Sequence, residues 1–116
     1  MKIEQLKQFP QTIATVEKQL LKLNREIEIQ HQLIGFLDAD IEKVIADDKA
    51  LKNDQQRKSK RLELIQQPDY LEVKRKLTEF KEQRDLTLIR LNQLKNEFSV
   101  MKLELRMQIA NLEVAA

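Results

Sequence analysis

The chain contains no cysteine and no tryptophan, and among its 116 residues there are one glycine, one histidine and two prolines. Without cysteine there is no disulfide framework, no thiolate metal site and no thiol nucleophile. A single glycine, Gly35, cannot build a glycine-rich phosphate loop, and no Ser/His/Asp set or other catalytic motif is evident. Aromatic residues reach only 4%, too few for a globule built round an aromatic core. Nowhere do 18 apolar residues run together, and the start MKIEQLKQFP lacks the apolar core of a signal peptide. These absences predict a soluble, cytoplasmic, non-enzymatic protein with no membrane span, no cofactor and no small-molecule substrate.

What is present is an excess of Leu, Ile, Lys, Glu and Gln, with 41% apolar and 34% charged residues. That mixture belongs to long helices and coiled coils, and its regular apolar spacing separates it from a disordered chain. The length suits a single helical domain over residues 1–116. Ile13, Val16, Leu20, Leu23, Ile27, Ile34, Leu37, Ile41 and Val44 recur in steps of three and four, interrupted only by Gln30. This heptad seam predicts a long helix A over about residues 10–46, with Pro10 in its first turn. Asp47, Asp48, Asn53 and Asp54 favour turns and caps. Asn53 with Gln56 has the spacing of a capping box, so a break is expected at 47–53 and a short helix B over about 54–66. Pro68 then opens helix C, expected over about 69–113.

The first seam of helix C runs Val73, Leu77, Phe80, Arg84, Thr87, Leu91, Leu94, Phe98, Met101 and Leu105. The expected fold class is therefore all-α: an antiparallel helical hairpin, or coiled coil, of two long helices and a short connecting helix. Laid against helix A so that paired positions add to 117 or 118, Val44 meets Val73, Leu37 meets Phe80 and Leu23 meets Leu94. Gln30 then falls opposite Thr87 with Arg84 one turn away, a polar layer that would fix the register. The alternation of Met101, Leu103, Leu105, Met107 and Ile109 with polar residues also suits a strand, but its residue types favour helix and no turn flanks it.

Helix C carries a second seam: Leu86, Ile89, Gln93, Asn96, Val100, Leu103, Met107, Ala110 and Val114. At 100° per residue this stripe lies about 160° from the first. A helix apolar on two opposite sides needs cover on both. Ile29, Leu33 and Phe36 form a matching outer stripe on helix A, which explains why Leu33 to Leu37 is apolar all round. Leu33, Phe36, Leu86, Ile89, Val100, Leu103 and Met107 are thus the candidate self-association residues. A homo-oligomeric helix bundle is expected, a dimer first, together with a further protein partner.

Candidate chemistry elsewhere is thin. Glu28 and His31 make an E-x-x-H pair, but the second copy that a di-iron bundle requires is absent. Asp38, Asp40 and Glu42 lack the glycine and the spacing of a calcium loop. No metal site is expected. The strongest hint is charge: residues 49–76 carry nine basic and four acidic groups, including Lys49, Lys52, Arg57, Lys58, Lys60, Arg61, Lys74, Arg75 and Lys76. At the tip of the hairpin such a cluster would face a partner or bind nucleic acid, with Tyr70 as the one nearby stacking residue. The alternative function is accordingly a nucleic-acid-binding accessory protein, and a third is a chaperone or adaptor.

The run LKNDQQRKSKRLELIQQPDYLEV, about a fifth of the chain, resembles a stretch of small uncharacterised helical-hairpin, coiled-coil proteins of bacterial and phage genomes. Asn53-Asp54, Arg57-Lys58 and Pro68-Asp69-Tyr70 carry the likeness. It implies an accessory role in a phage or mobile-element setting. The plan is also similar to prefoldin-like chaperones, but the β-hairpins that prefoldins insert between their helices have no counterpart here.

Overall fold

The computed structural model describes residues 2–115, which form α1 (Lys2–Asp47), α2 (Asp54–Leu64) and α3 (Pro68–Ala115). No strand occurs among the described residues, so the alternating segment 101–109 is helical. The long helices pack antiparallel, with the short one between them in sequence.

Each boundary has a local cause. Asp48 Oδ1 accepts the Ala50 N–H at 2.9 Å, an Asx turn that stops α1. Asn53 has extended backbone, and its Oδ1 accepts the Gln56 N–H at 2.9 Å, while Gln56 Oε1 accepts the Lys52 N–H. One orphan donor of α2, the Gln56 N–H, is thereby satisfied, and the chain ahead of the cap is tied to the first turn. Its end lies at Leu64, two residues before the expected 66. The Gln66 and Gln67 N–H groups turn back to Glu63 and Leu64 carbonyls at 3.2 Å, tightening the chain ahead of Pro68.

The start of α1 is a correction. Pro10 is not in its first turn, because the helix begins at Lys2 and runs through the proline. An interior proline removes the hydrogen bond to the Leu6 carbonyl and costs roughly 3 kcal/mol. Leu6 and Phe9 extend the three-and-four stepping upstream of Ile13 and are half-buried, and their packing offsets that penalty.

Contacts divide the chain into two compact units, Leu23–Glu82 and Met1–Lys22 with Gln83–Ala116. In the first, Ile41, Ile45 and Tyr70 form a buried cluster with Ile34, Leu37, Leu51, Leu64 and Ile65 packed against it. Val44, expected in the seam, is exposed and Ile45 takes its place. There α1 is covered by α2 and its flanking turns, so its inner face rotates by one residue.

The register also differs from the expected one. In the unit Leu23–Glu82, the Tyr70 hydroxyl reaches Asp38 at 2.9 Å, so paired positions add to 108. In the other unit the Phe9 and Phe98 rings lie 5.5 Å apart, which adds to 107. The same alignment sets Val16 beside Leu91, in agreement with the burial of both. The sums of 117 and 118 are therefore wrong by about ten residues. They were favoured by matching polar groups, whereas the folded chain matches apolar ones, drawing Tyr70, Leu6 and Phe9 into the seam. Residues 106–115 then have no α1 residue opposite them and are exposed throughout.

Candidate interaction surfaces

Gln30, Arg84 and Thr87 do not share the polar layer expected of them. Gln30 is buried, at 7% exposure, and its Oε1 accepts no hydrogen bond. Thr87 donates to the Gln83 carbonyl at 2.7 Å, and the Arg84 guanidinium holds Asp85 at 3.1 Å. Both use local partners because a hydroxyl can bond the preceding turn and a long guanidinium can reach out of a seam.

Four of the nine cations of the basic cluster are held in ion pairs. Arg61 grips Glu42 with two hydrogen bonds, at 2.6 and 3.0 Å, tying α2 to α1. This bond holds the Glu42 carboxyl below its usual range and raises the Arg61 guanidinium. Arg75 lies between Glu72 and Glu79, and its hydrogen bonds lower the Glu72 carboxyl and raise its own value. Arg57 pairs with Asp54 at 2.9 Å and Lys60 approaches Glu63 at 3.8 Å. Lys74 stands 5.9 Å over the Tyr70 ring. Lys76 adds its charge to that of Arg75 in lowering Glu72, while Lys49, Lys52 and Lys58 make no ion pair among the described residues.

Two consequences bear on nucleic acid. Tyr70 is not a free stacking platform, since its ring is buried and burial, reinforced by the Asp38 carboxylate, raises its phenol. The unit that holds the cluster, Leu23–Glu82, carries twelve basic and thirteen acidic groups, while the other unit carries nine and six. The linear run of cations is thus folded among anions such as Asp38, Glu42 and Glu79. An open cleft bordered by Asp38, Glu42, Arg57, Lys58 and Arg61 carries both signs. No three His, Asp or Glu residues come together as a metal site among the described residues.

The apolar faces are the more distinctive surfaces. In the unit Met1–Lys22 with Gln83–Ala116, Leu86, Ile89, Val100, Leu103 and Met107 are 53–67% exposed, with Gln93 and Asn96 exposed between them. These residues point away from the buried seam of Leu91, Leu94 and Phe98 on the same helix, as the 3.6-residue period requires. Single exposed leucines need no explanation, but a stripe along six turns of one helix does. In the unit Leu23–Glu82, Leu33 and Phe36 are exposed at 41% and 69%, with Ile29 beside them. Ile34 and Leu37 of the same turn face inward. A Cβ added at Gly35 would meet nothing within 4 Å, so no close approach inside this chain requires the glycine.

Sequence reading found the outer stripe of α3 from its spacing alone. It missed the buried Ile45 and Tyr70 and the half-buried Leu6 and Phe9, although Leu6, Phe9 and Tyr70 all continue the three-and-four stepping of the seams. No helix is long and apolar enough to cross a membrane among the described residues. No family model, no curated protein and no solved structure matches the chain.

Proposed function

We propose that the chain is a cytoplasmic, non-enzymatic assembly module that associates with a second copy of itself through the outer face of α3. The observation that carries this reading is the exposure of Leu86, Ile89, Val100, Leu103 and Met107 on one stripe, while the opposite stripe of the helix, Leu91, Leu94, Phe98, Met101 and Leu105, is buried or half-buried. Each Leu or Ile taken from water to a dry interface contributes about 1.5–3 kcal/mol. Association opposes this with the loss of rigid-body freedom, so several such residues are needed for a stable complex. The exposed Leu33 and Phe36 offer a further apolar contact to the same or another protein partner.

Nucleic-acid binding through the basic cluster has less support, because four of its nine cations are held in ion pairs and its unit has no net positive charge. Comparing the wild-type chain with a Leu103→Glu/Met107→Glu variant tests the assembly reading. Light scattering is expected to give a dimer for the wild type and a monomer of unchanged helicity for the variant, since both residues are exposed within one chain. Equal masses with equal helicity would contradict it.

A further inference from the structure

The two breaks between helices differ in kind. Pro68 forces the second, because its ring excludes helical geometry at Gln67. The first, residues 48–53, has no such cause. It contains neither glycine nor proline, and no described residue has a positive φ, so nothing in its backbone forbids a helix. Local side-chain bonds hold it instead. Asp48 Oδ1 accepts the Ala50 N–H and Asn53 Oδ1 the Gln56 N–H, both at 2.9 Å, while Gln56 Oε1 accepts the Lys52 N–H. Leu51 adds its packing against Ile41, Ile45 and Tyr70.

Across this break the apolar stepping continues, since Ile41, Val44, Leu51, Leu62 and Ile65 share one heptad phase. Yet Val44 and Leu62 are 47% and 52% exposed. The break leaves outside two residues that a continuous helix would set on the stripe of Ile41 and Ile65. Joined, α1 and α2 would form one helix from Lys2 to Leu64. Glu42 and Arg61, 19 residues apart, would then stand about 28 Å from each other. Arg61 could reach only the Glu42 of a second copy. The Tyr70 hydroxyl, 2.9 Å from Asp38 in the closed chain, is in the same position. Two opened copies laid antiparallel would each supply the arm that the other has lost, and contacts made once in the closed chain would be made twice in the pair.

From this we infer that residues 48–53 are a hinge at which the hairpin opens and exchanges arms with a second copy, α1 of one chain packing against α2 and α3 of the other. Asp48 and Asn53 are its latch, because both disfavour a helix interior and both bond the broken form. The exchange is independent of pairing through the outer face of α3. It reuses the inner contacts, so its partner surface is fixed by what one chain already buries.

Working in Leu103→Glu/Met107→Glu chains keeps the outer face of α3 out of the test. Adding Asp48→Ala/Asn53→Ala is expected to favour exchanged dimers roughly tenfold or more through the loss of two caps, read as a doubled mass and a higher helicity. Adding Lys49→Pro as well is expected to reverse this by roughly a hundredfold. Proline suits the second position of the Asp48 to Leu51 turn but not the interior of a helix. A folded double-alanine chain that stays monomeric, or a dimer that Lys49→Pro leaves intact, would overturn the exchange. Should Leu103→Glu/Met107→Glu alone remain dimeric, the α3 reading fails, and the response to Lys49→Pro still decides the exchange.

A second measurement keeps the native hinge. Copies carrying Glu42→Arg and copies carrying Arg61→Glu, both with Leu103→Glu/Met107→Glu, are unfolded, mixed and refolded together at high concentration. Each variant alone sets like charges against each other at positions 42 and 61, closed or exchanged. Only a mixed, exchanged pair gives every such contact opposite signs. Native mass spectrometry is expected to show mixed dimers about fivefold above their statistical share. Statistical proportions, or no dimers at all, would contradict the exchange.

Discussion

At the scale of single residues, burial and hydrogen bonding decide what each side chain contributes, and two positions are informative. Gln30 occupies a seam position with an unsatisfied Oε1. An unpaired buried polar group costs about 1–3 kcal/mol, so Gln30→Leu should raise the free energy of unfolding by an amount of that order. Chemical denaturation checks this, and a destabilised variant would mean that the amide has a partner in solution. Gly35 is the other position, a glycine inside a helix with open space around it. Gly35→Ala should stabilise the chain by about 0.5–1 kcal/mol, since alanine loses less backbone freedom in a helix. A higher midpoint with unchanged mass is expected. Loss of association in that variant would instead mean that another chain comes close to α1 at this point.

At the scale of elements, the docking of α2 shows why some of the fold was legible in the sequence and some was not. The inner stripes of α1 and α3 were readable because three-and-four stepping is a local property that any covering helix will respect. Register is different. It depends on which pairs of turns gain most from meeting, and the Gln30/Thr87 match lost to Phe9 against Phe98 and to the cluster of Ile41, Ile45 and Tyr70. Those gains involve α2 and the turns round it, which a two-helix alignment leaves out. The basic tip was misleading for a related reason. Glu42 is 19 residues from Arg61 along the chain, so their ion pair has no short-range signature.

The contacts that hold α2 and the start of α3 make stability depend on pH in two opposite ways. Glu42 titrates below its ordinary 4.5 because Arg61 donates to it, so the pair contributes above that pH and its contribution fades as the pH falls through the lowered value. Tyr70 titrates above its ordinary 10.0 through burial and Asp38, so its contribution is complete below that pH and is lost as the pH rises through the raised value. Denaturation midpoints should form a plateau between about pH 5 and 10 that falls on both sides. Glu42→Gln should soften the acid limb and Tyr70→Phe the alkaline limb. Limbs of unchanged steepness in these variants would show that other groups govern them.

At the scale of the whole molecule, the outer stripe of α3 dominates. Charge is dispersed: the unit richest in clustered cations is close to neutral. Apolar surface is concentrated, since α3 presents one stripe to α1 and leaves the opposite one in water. That asymmetry explains why protein assembly is the favoured role and why duplex DNA should not be retained at physiological salt. Binding driven by a few unpaired lysines weakens steeply as ions compete for phosphate. A fluorescence titration with labelled duplex checks this, and tight binding that persists at 0.15 M salt would restore the basic cluster to first place.

The central claim is that the exposed face of α3 is covered by a second copy, and sedimentation equilibrium of the unmodified chain across micromolar concentrations tests it most directly. The account predicts a mass that rises from 13.8 kDa and levels at twice that value. A mass that stays at 13.8 kDa throughout the range would contradict it.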